Sequence, residues 1–172
     1  MQNNFSNIIL IGMAGVGKST VGALLAKLAE KQFIDTDTLI SEQTGMALQD
    51  FLNRVGRESF QQQEEQTLLA FSLHNHVIAT GGSAVYSSAG MRHLKKSGPV
   101  VLLEVDLETL EQRVQNRNSR GLVNPGKGSF RDLFYARKPL YQRWADIRIK
   151  GSGSPEEIAR SILKELAETK NS

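Results

Sequence analysis

The chain has 172 residues, a formal charge of +3 and no cysteine, which excludes disulfides, thiolate metal sites and cysteine nucleophiles. That length suits one domain with its own core. The mild charge, with no aromatic interleaving suited to base stacking among the basic residues between Arg113 and Arg148, points to polyphosphate rather than nucleic acid as a partner. No charged n-region precedes a long apolar stretch, and no run approaches membrane-spanning length, so a cytoplasmic protein is expected.

Short apolar runs alternate with helical patterns, which predicts an α/β fold: a parallel sheet covered by helices on both faces. Strands are expected at Asn7–Ile11, Gln32–Asp35, His76–Ala79, Val100–Val105 and Ile147–Ile149. Helices are expected at Lys18–Glu30, Leu39–Thr44, Ala47–Val55, Arg57–His74, Ala89–Lys96, Leu107–Asn116, Ser129–Ala145 and Pro155–Thr169. The last opens on Ser154-Pro155-Glu156-Glu157, an N-cap hydroxyl, a proline at N1 and acids in the first turn.

The first strand runs into Gly12-Met13-Ala14-Gly15-Val16-Gly17-Lys18-Ser19, which fits G-x-x-x-x-G-K-[ST] between strand and helix. Glycines let the backbone wrap phosphate oxygens, and the helix N-terminus points its N–H groups at them. Gly12, Gly15, Gly17, Lys18, Ser19 and Thr20 are therefore expected to contact a nucleotide. Lys18 would reach the β- and γ-phosphates and the Ser19 hydroxyl would ligate Mg²⁺.

Ligands of such sheets bind beyond the carboxyl ends of the strands. The second strand ends Phe33-Ile34-Asp35-Thr36-Asp37. One carboxylate can hold Mg²⁺ while the other takes the proton of an attacking hydroxyl; equally, Asp37 can simply cap the next helix. The third strand runs into Thr80-Gly81-Gly82-Ser83, either a ligand approach or an ordinary turn. Asp106 precedes a helix start and is read as its cap. Arg117 to Gly128 is rich in Asn, Gly, Ser, Arg and Lys and reads as a mobile loop, which suits a lid. Pro139 should kink or restart the helix carrying Arg137. His74, His76 and His93 lack metal-ligand spacing and are read as structural.

Taken together the chain resembles the shikimate kinases, small P-loop kinases of the nucleoside-monophosphate-kinase type. The resemblance runs from Asn7 to about Leu166. It rests on the phosphate loop, Phe33-Ile34-Asp35-Thr36-Asp37, Thr44-Gly45, the Gly56, Phe60 and Glu64 frame, Ala79-Thr80-Gly81-Gly82 and Arg137-Lys138-Pro139-Leu140-Tyr141. It implies a three-layer α/β/α P-loop NTPase fold with a five-stranded parallel sheet of order 2-3-1-4-5. Residues 1–172 then form one kinase domain, with a substrate-binding segment at 36–65 and a lid at 117–128. The activity implied is transfer of a phosphoryl group from ATP, with Mg²⁺, to a hydroxyl of shikimate, by a monomer binding neither nucleic acid nor membrane.

By the same resemblance Asp35 lies near Mg²⁺ with Ser19, and Asp37 binds the acceptor hydroxyls and takes the proton. Lys18, Asp37 and Arg120 would be catalytic, with Arg120 the lid arginine. Arg113 is the adenine-side arginine, Gly81 and Gly82 face the acceptor, and Arg137 binds its carboxylate. Gln61 stands where the family has a second carboxylate-binding arginine. Ser83 replaces the third glycine of a triplet, Arg57 an acid, and Gly121 the proline that follows the lid arginine.

A charge-assisted hydrogen bond contributes about 1.5–3 kcal/mol and a neutral one about 0.5–1.5, so Arg→Gln there lowers acceptor affinity roughly tenfold to a hundredfold. Arg57, one turn before Gln61, is placed to restore that charge. Loss of a cation equally suits an acceptor bringing its own ammonium, such as homoserine. A nucleotide-binding regulatory protein without kinase activity is the reading from another class; a nucleoside monophosphate kinase would need a second nucleotide pocket, for which the sequence offers no motif.

Overall fold

The computed structural model describes residues 6–117 and 128–169. Five parallel strands form one sheet in the order β2-β3-β1-β4-β5: β1 Asn7–Ile11, β2 Gln32–Asp35, β3 His76–Ala79, β4 Val100–Glu104 and β5 Ile147–Lys150. The central strands are continuous apolar runs because helices cover both their faces. Ile8, Ile9, Leu10 and Ile11 are completely buried. Each such side chain stabilises the fold by about 1.5–3 kcal/mol, so the loop leaving β1 starts from a rigid base. At the edge, β5 alternates, with Ile147 and Ile149 buried and Arg148 and Lys150 exposed.

The helices are α1 Lys18–Leu28, α2 Thr36–Thr44, α3 Leu48–Leu69, α4 Ser88–Lys95, α5 Leu107–Arg117, α6 Phe130–Trp144 and α7 Pro155–Glu168. With the sheet they make the three-layer α/β/α P-loop fold. α7 packs against α1 through Ile158, Ala159, Ile162 and Leu166, and its start is a capping box in which Ser154 and Glu157 each bond the other's backbone N–H. Among the described residues no helix is long and apolar enough to cross a membrane.

Several boundaries differ from expectation. α2 begins at Thr36, not Leu39, because the Asp35 carboxylate accepts hydrogen bonds from the backbone N–H groups of Asp37 and Thr38. The cap is thus Asp35, the last residue of its strand, and Asp37 lies inside the first turn. The two helices expected on either side of Gly56 are one, broken at that glycine (φ 80°, ψ 170°). Across the break the Phe51 and Phe60 rings meet with centroids 6.0 Å apart. The same helix stops at Leu69, short of His74; beyond it Asn7 donates to the Leu73 carbonyl at 2.7 Å, and a His93 ring nitrogen lies 2.7 Å from the Phe71 oxygen. α6 does not restart at Pro139. A 3₁₀ turn at Ala84–Tyr86 was not expected from the sequence. The lid expected at 117–128 lies, apart from its ends, outside the described residues, and Arg120 with it.

Candidate active site

The phosphate loop leaves the carboxyl end of β1 and enters α1 with Gly17 in the left-handed conformation (φ 96°, ψ 22°), where a side chain would be strained. That turn aims the first amide groups of α1 back into the loop. Lys18 is buried, and its Nζ donates to the carbonyls of Gly12 (2.6 Å) and Met13 (2.9 Å), which hold the ammonium within the loop's curve. From α5, Arg113 donates to the Gly15 carbonyl at 3.0 Å. Thr20 is exposed in the first turn of α1. A cavity of about 590 Å³ opens beside the loop on the β4–β5 side, lined among others by Met13, Val16, Arg113, Lys138 and Ser152.

On the other side of β1 lie the ends of β2 and β3. Ser19 Oγ donates to Asp35 Oδ2, so a hydroxyl and a carboxylate converge at the mouth of the loop. Oxygen ligands suit Mg²⁺, which keeps several waters and substrate oxygens and so needs only one or two protein groups. Among the described residues no group of three or more His, Cys, Asp or Glu side chains is placed to hold a metal ion by itself.

Gly81 and Gly82 form the floor of the second half. The Gly81 N–H is taken by the buried Thr36 hydroxyl at 2.9 Å, so this pair serves close approach rather than anion binding through that amide. A Cβ at Gly81 would fall on Asp37 Oδ1 and 2.8 Å from Glu64 Oε1; one at Gly82 would come 2.7 Å from a terminal nitrogen of Arg137. Asp37, Glu64 and Arg137 therefore converge over two glycines because nothing larger fits beneath them. Tyr141 locks the arrangement, donating to the Gly82 carbonyl at 2.6 Å beside the Arg137 guanidinium.

Electrostatics follow from burial. Burial, aided by the Asp35 charge, pushes the Asp37 carboxyl up to about 6, against the opposing pull of Lys18 and Arg137. Burial likewise raises Glu64 to about 7, although its bond from Ser83 and the Arg137 charge oppose this while Asp37 adds to it. Ser83 Oγ donates to Glu64 Oε2 at 2.5 Å, whereas Glu64 Oε1 is buried without a partner, as is Arg137 Nε. A buried acceptor and a buried donor left open across one floor fit a ligand with a hydroxyl at one end and an anion at the other.

The structure thus brings together Lys18, Ser19, Asp35, Asp37, Gly81, Gly82 and Arg137, with Gln61 half-buried on the same face of α3 as Glu64. Asp106 lies outside this cluster, on the wall of the cavity beside the loop, and caps α5 through Thr109 (2.9 Å to its N–H); those bonds lower its pKa. Sequence reasoning gave Glu64 no role, yet its signal was present: a carboxylate four residues after buried Phe60 on one helical stripe. Tyr86, on the unexpected 3₁₀ turn, carried no signal.

The family profile described as shikimate kinase matches residues 14–167. A shikimate kinase of Nitrosospira multiformis is 35% identical over 164 residues, covering 93% of this chain and 84% of its own length. The human protein threonine synthase-like 1 is 37% identical over 164 residues, which are 93% of this chain but 22% of that protein. Among solved structures, a shikimate kinase of Acinetobacter baumannii in complex with shikimate superposes with a TM-score of 0.88 at 32% identity, covering 98% of this chain and 96% of that one.

Proposed function

Since the chain belongs to the shikimate kinase family, and so is an ATP-dependent small-molecule kinase, we propose that it converts shikimate to shikimate 3-phosphate with the residues gathered at these strand ends. The observation that carries the assignment of roles is the convergence of Asp37 and Arg137 over Gly81 and Gly82, beside the phosphate loop. Arg137 takes the acceptor's carboxylate and Asp37 takes the hydroxyl.

Asp37 accepts the hydroxyl proton as the acceptor oxygen forms its bond to the γ-phosphorus. The bond to the β–γ bridging oxygen breaks and ADP leaves. A carboxylate held near 6 is ionised at neutral pH yet closer in basicity to its task than a free one. Lys18 neutralises charge on the transferring group, and Arg113 lies on the nucleoside side by the cavity. Gly12, Gly15 and Gly17 cradle the phosphates, and Thr20 stands beside them. Ser19 and Asp35 would hold Mg²⁺, which would supply neutralising positive charge to the phosphates when bound. Arg120, in the segment 118–127, is assigned the lid role on the strength of the resemblance alone.

A hydroxy amino acid is the second reading, favoured by the open, buried Glu64 Oε1, which an ammonium would satisfy. The test is a parallel screen of shikimate, L-homoserine and gluconate with ATP·Mg²⁺, following ADP release and the phosphorus spectrum of the product. Turnover dependent on shikimate is expected. Turnover on homoserine in its place would select the second reading, and ADP release indifferent to every acceptor would overturn both.

A further inference from the structure

Arg137 is not alone at the end of the site away from Asp37. Its guanidinium carbon lies 5.6 Å from the centre of the Tyr86 ring, and that of Arg57 lies 5.8 Å from the same ring. Three separate elements meet here. Tyr86 ends the 3₁₀ turn that follows the Gly81–Gly82 floor, Arg137 comes from α6, and Arg57 follows the break in α3 at Gly56. Arg57 shares a helical stripe with Phe60, Gln61 and Glu64, of which Phe60 and Glu64 are buried. Its long side chain thus leaves α3 at the rim of the acceptor pocket, one turn before Gln61.

We propose that Arg57 and Arg137 together form the subsite for the acceptor's carboxylate, with Arg57 supplying the second positive charge; this rests on the acceptor reading given above. Among the described residues neither arginine takes part in an ion pair. Arg137 also keeps its buried Nε without a partner. Two guanidinium groups drawn to one ring repel each other unless an anion sits between or beside them. An exposed cation–π contact stabilises by only about 0.5–1 kcal/mol, too little to hold Arg57 against a competing carboxylate. The ring therefore holds the exposed Arg57 side chain only weakly, at the ring that Arg137 also flanks.

The sign and shape of the ligand follow from the far side of the floor. Asp37 and Glu64 repel an anion there, so a hydroxylated carboxylate enters hydroxyl first and leaves its charge at Tyr86. The planar guanidinium fork matches a carboxylate in two parallel hydrogen bonds. Gln61 contributes no charge to this wall, whereas Arg57, one turn earlier on the same stripe, shares the Tyr86 ring with Arg137.

The test compares wild type with Arg57→Ala and Arg57→Lys, using shikimate and its neutral carboxamide as acceptors. Arg57→Ala is expected to raise the KM for shikimate roughly tenfold, the lower end for a charge-assisted contact at an exposed position. kcat and the KM for ATP stay unchanged, which also shows that the fold is intact. Arg57→Lys recovers part of the loss, because an ammonium restores charge without the fork. With the carboxamide, wild type and Arg57→Ala give the same KM, which a merely structural role would not produce. An unchanged KM for shikimate in Arg57→Ala, or equal losses with carboxylate and carboxamide, overturns the proposal while leaving the kinase reading intact. Should wild type use homoserine or gluconate and not shikimate, the acceptor reading falls, and Arg57 is judged by the same comparison on that acceptor and its amide. A wild type that uses no carboxylate overturns both.

Discussion

The nucleotide side and the acceptor side of this site are built by different means, although they share β1 as a wall. On the proposed reading the nucleotide side is one continuous stretch, Gly12 to Thr20, whose binding groups are backbone amides, one buried lysine and a hydroxyl. The acceptor side draws Asp37 from α2, Glu64 from α3, Gly81, Gly82 and Tyr86 from the segment after β3, and Arg137 from α6. Its binding groups are side chains, and its working charges are buried. Backbone amides carry no net charge, so a phosphate cradle is inexpensive to fold. Buried carboxylates cost stability until a ligand or a proton answers them. A nucleotide cradle of this kind can remain fixed while a few side-chain changes re-aim the acceptor wall.

That contrast can be broken or sharpened by substitution. The largest effect is expected from Lys18→Ala: kcat falls by roughly three orders of magnitude or more, since charge on the transferring phosphoryl group loses its neutralising cation. Single-turnover assays with saturating ATP would reveal it, and substantial residual turnover would mean the loop is not where transfer occurs.

Asp37→Asn should follow, lowering kcat by about 10²–10⁴-fold, the range of a lost general base, with nucleotide affinity retained in calorimetry. In the wild type, kcat/KM for the acceptor should fall as pH drops below about 6, because the raised Asp37 carboxyl is then protonated and cannot accept the hydroxyl proton. An acid limb near the ordinary carboxylate range would detach Asp37 from catalysis.

Arg137→Lys should mainly raise the acceptor's KM, by about tenfold, through loss of the bidentate fork, with kcat little altered. A matching rise in the KM for ATP would blur the division between the two sides.

The smallest effect concerns stability. A carboxyl with a raised folded-state pKa stabilises the fold when protonated and loses that contribution as pH rises. For Glu64 the window runs from the ordinary carboxyl value of 4.5 up to about 7. Glu64→Gln should therefore flatten the fall in stability across that window, and at pH 8 should raise unfolding free energy by about 1–3 kcal/mol. Denaturant titrations at several pH values would test it; an identical pH dependence in the variant would show that Glu64 is not the buried charge responsible.

The same contrast explains what could be read in advance. All five strands and the phosphate loop were legible because apolar runs, glycine spacing and caps are local signals. Asp35 and Asp37 were legible as a pair, but which of them caps α2 was not: the sequence offered Asp37, and the cap is Asp35 because the turn is so tight that strand and helix share a residue. Glu64 was visible as a residue and silent as a role, since its burial depends on how α3 lies over Gly81. Tyr86 was not visible at all, because a 3₁₀ turn of three residues has no periodicity to betray it.

By itself, then, the sequence determined the order of strands and helices, the phosphate loop and the absence of cysteine chemistry, all of which depend on neighbours along the chain. Only the tertiary structure decided that Asp37 and Glu64 share a point over Gly81, that their carboxyls are raised, and that Arg57 and Arg137 meet at one ring. Those properties are set by distance and burial, and groups tens of residues apart acquire them only once the sheet and α3 have packed.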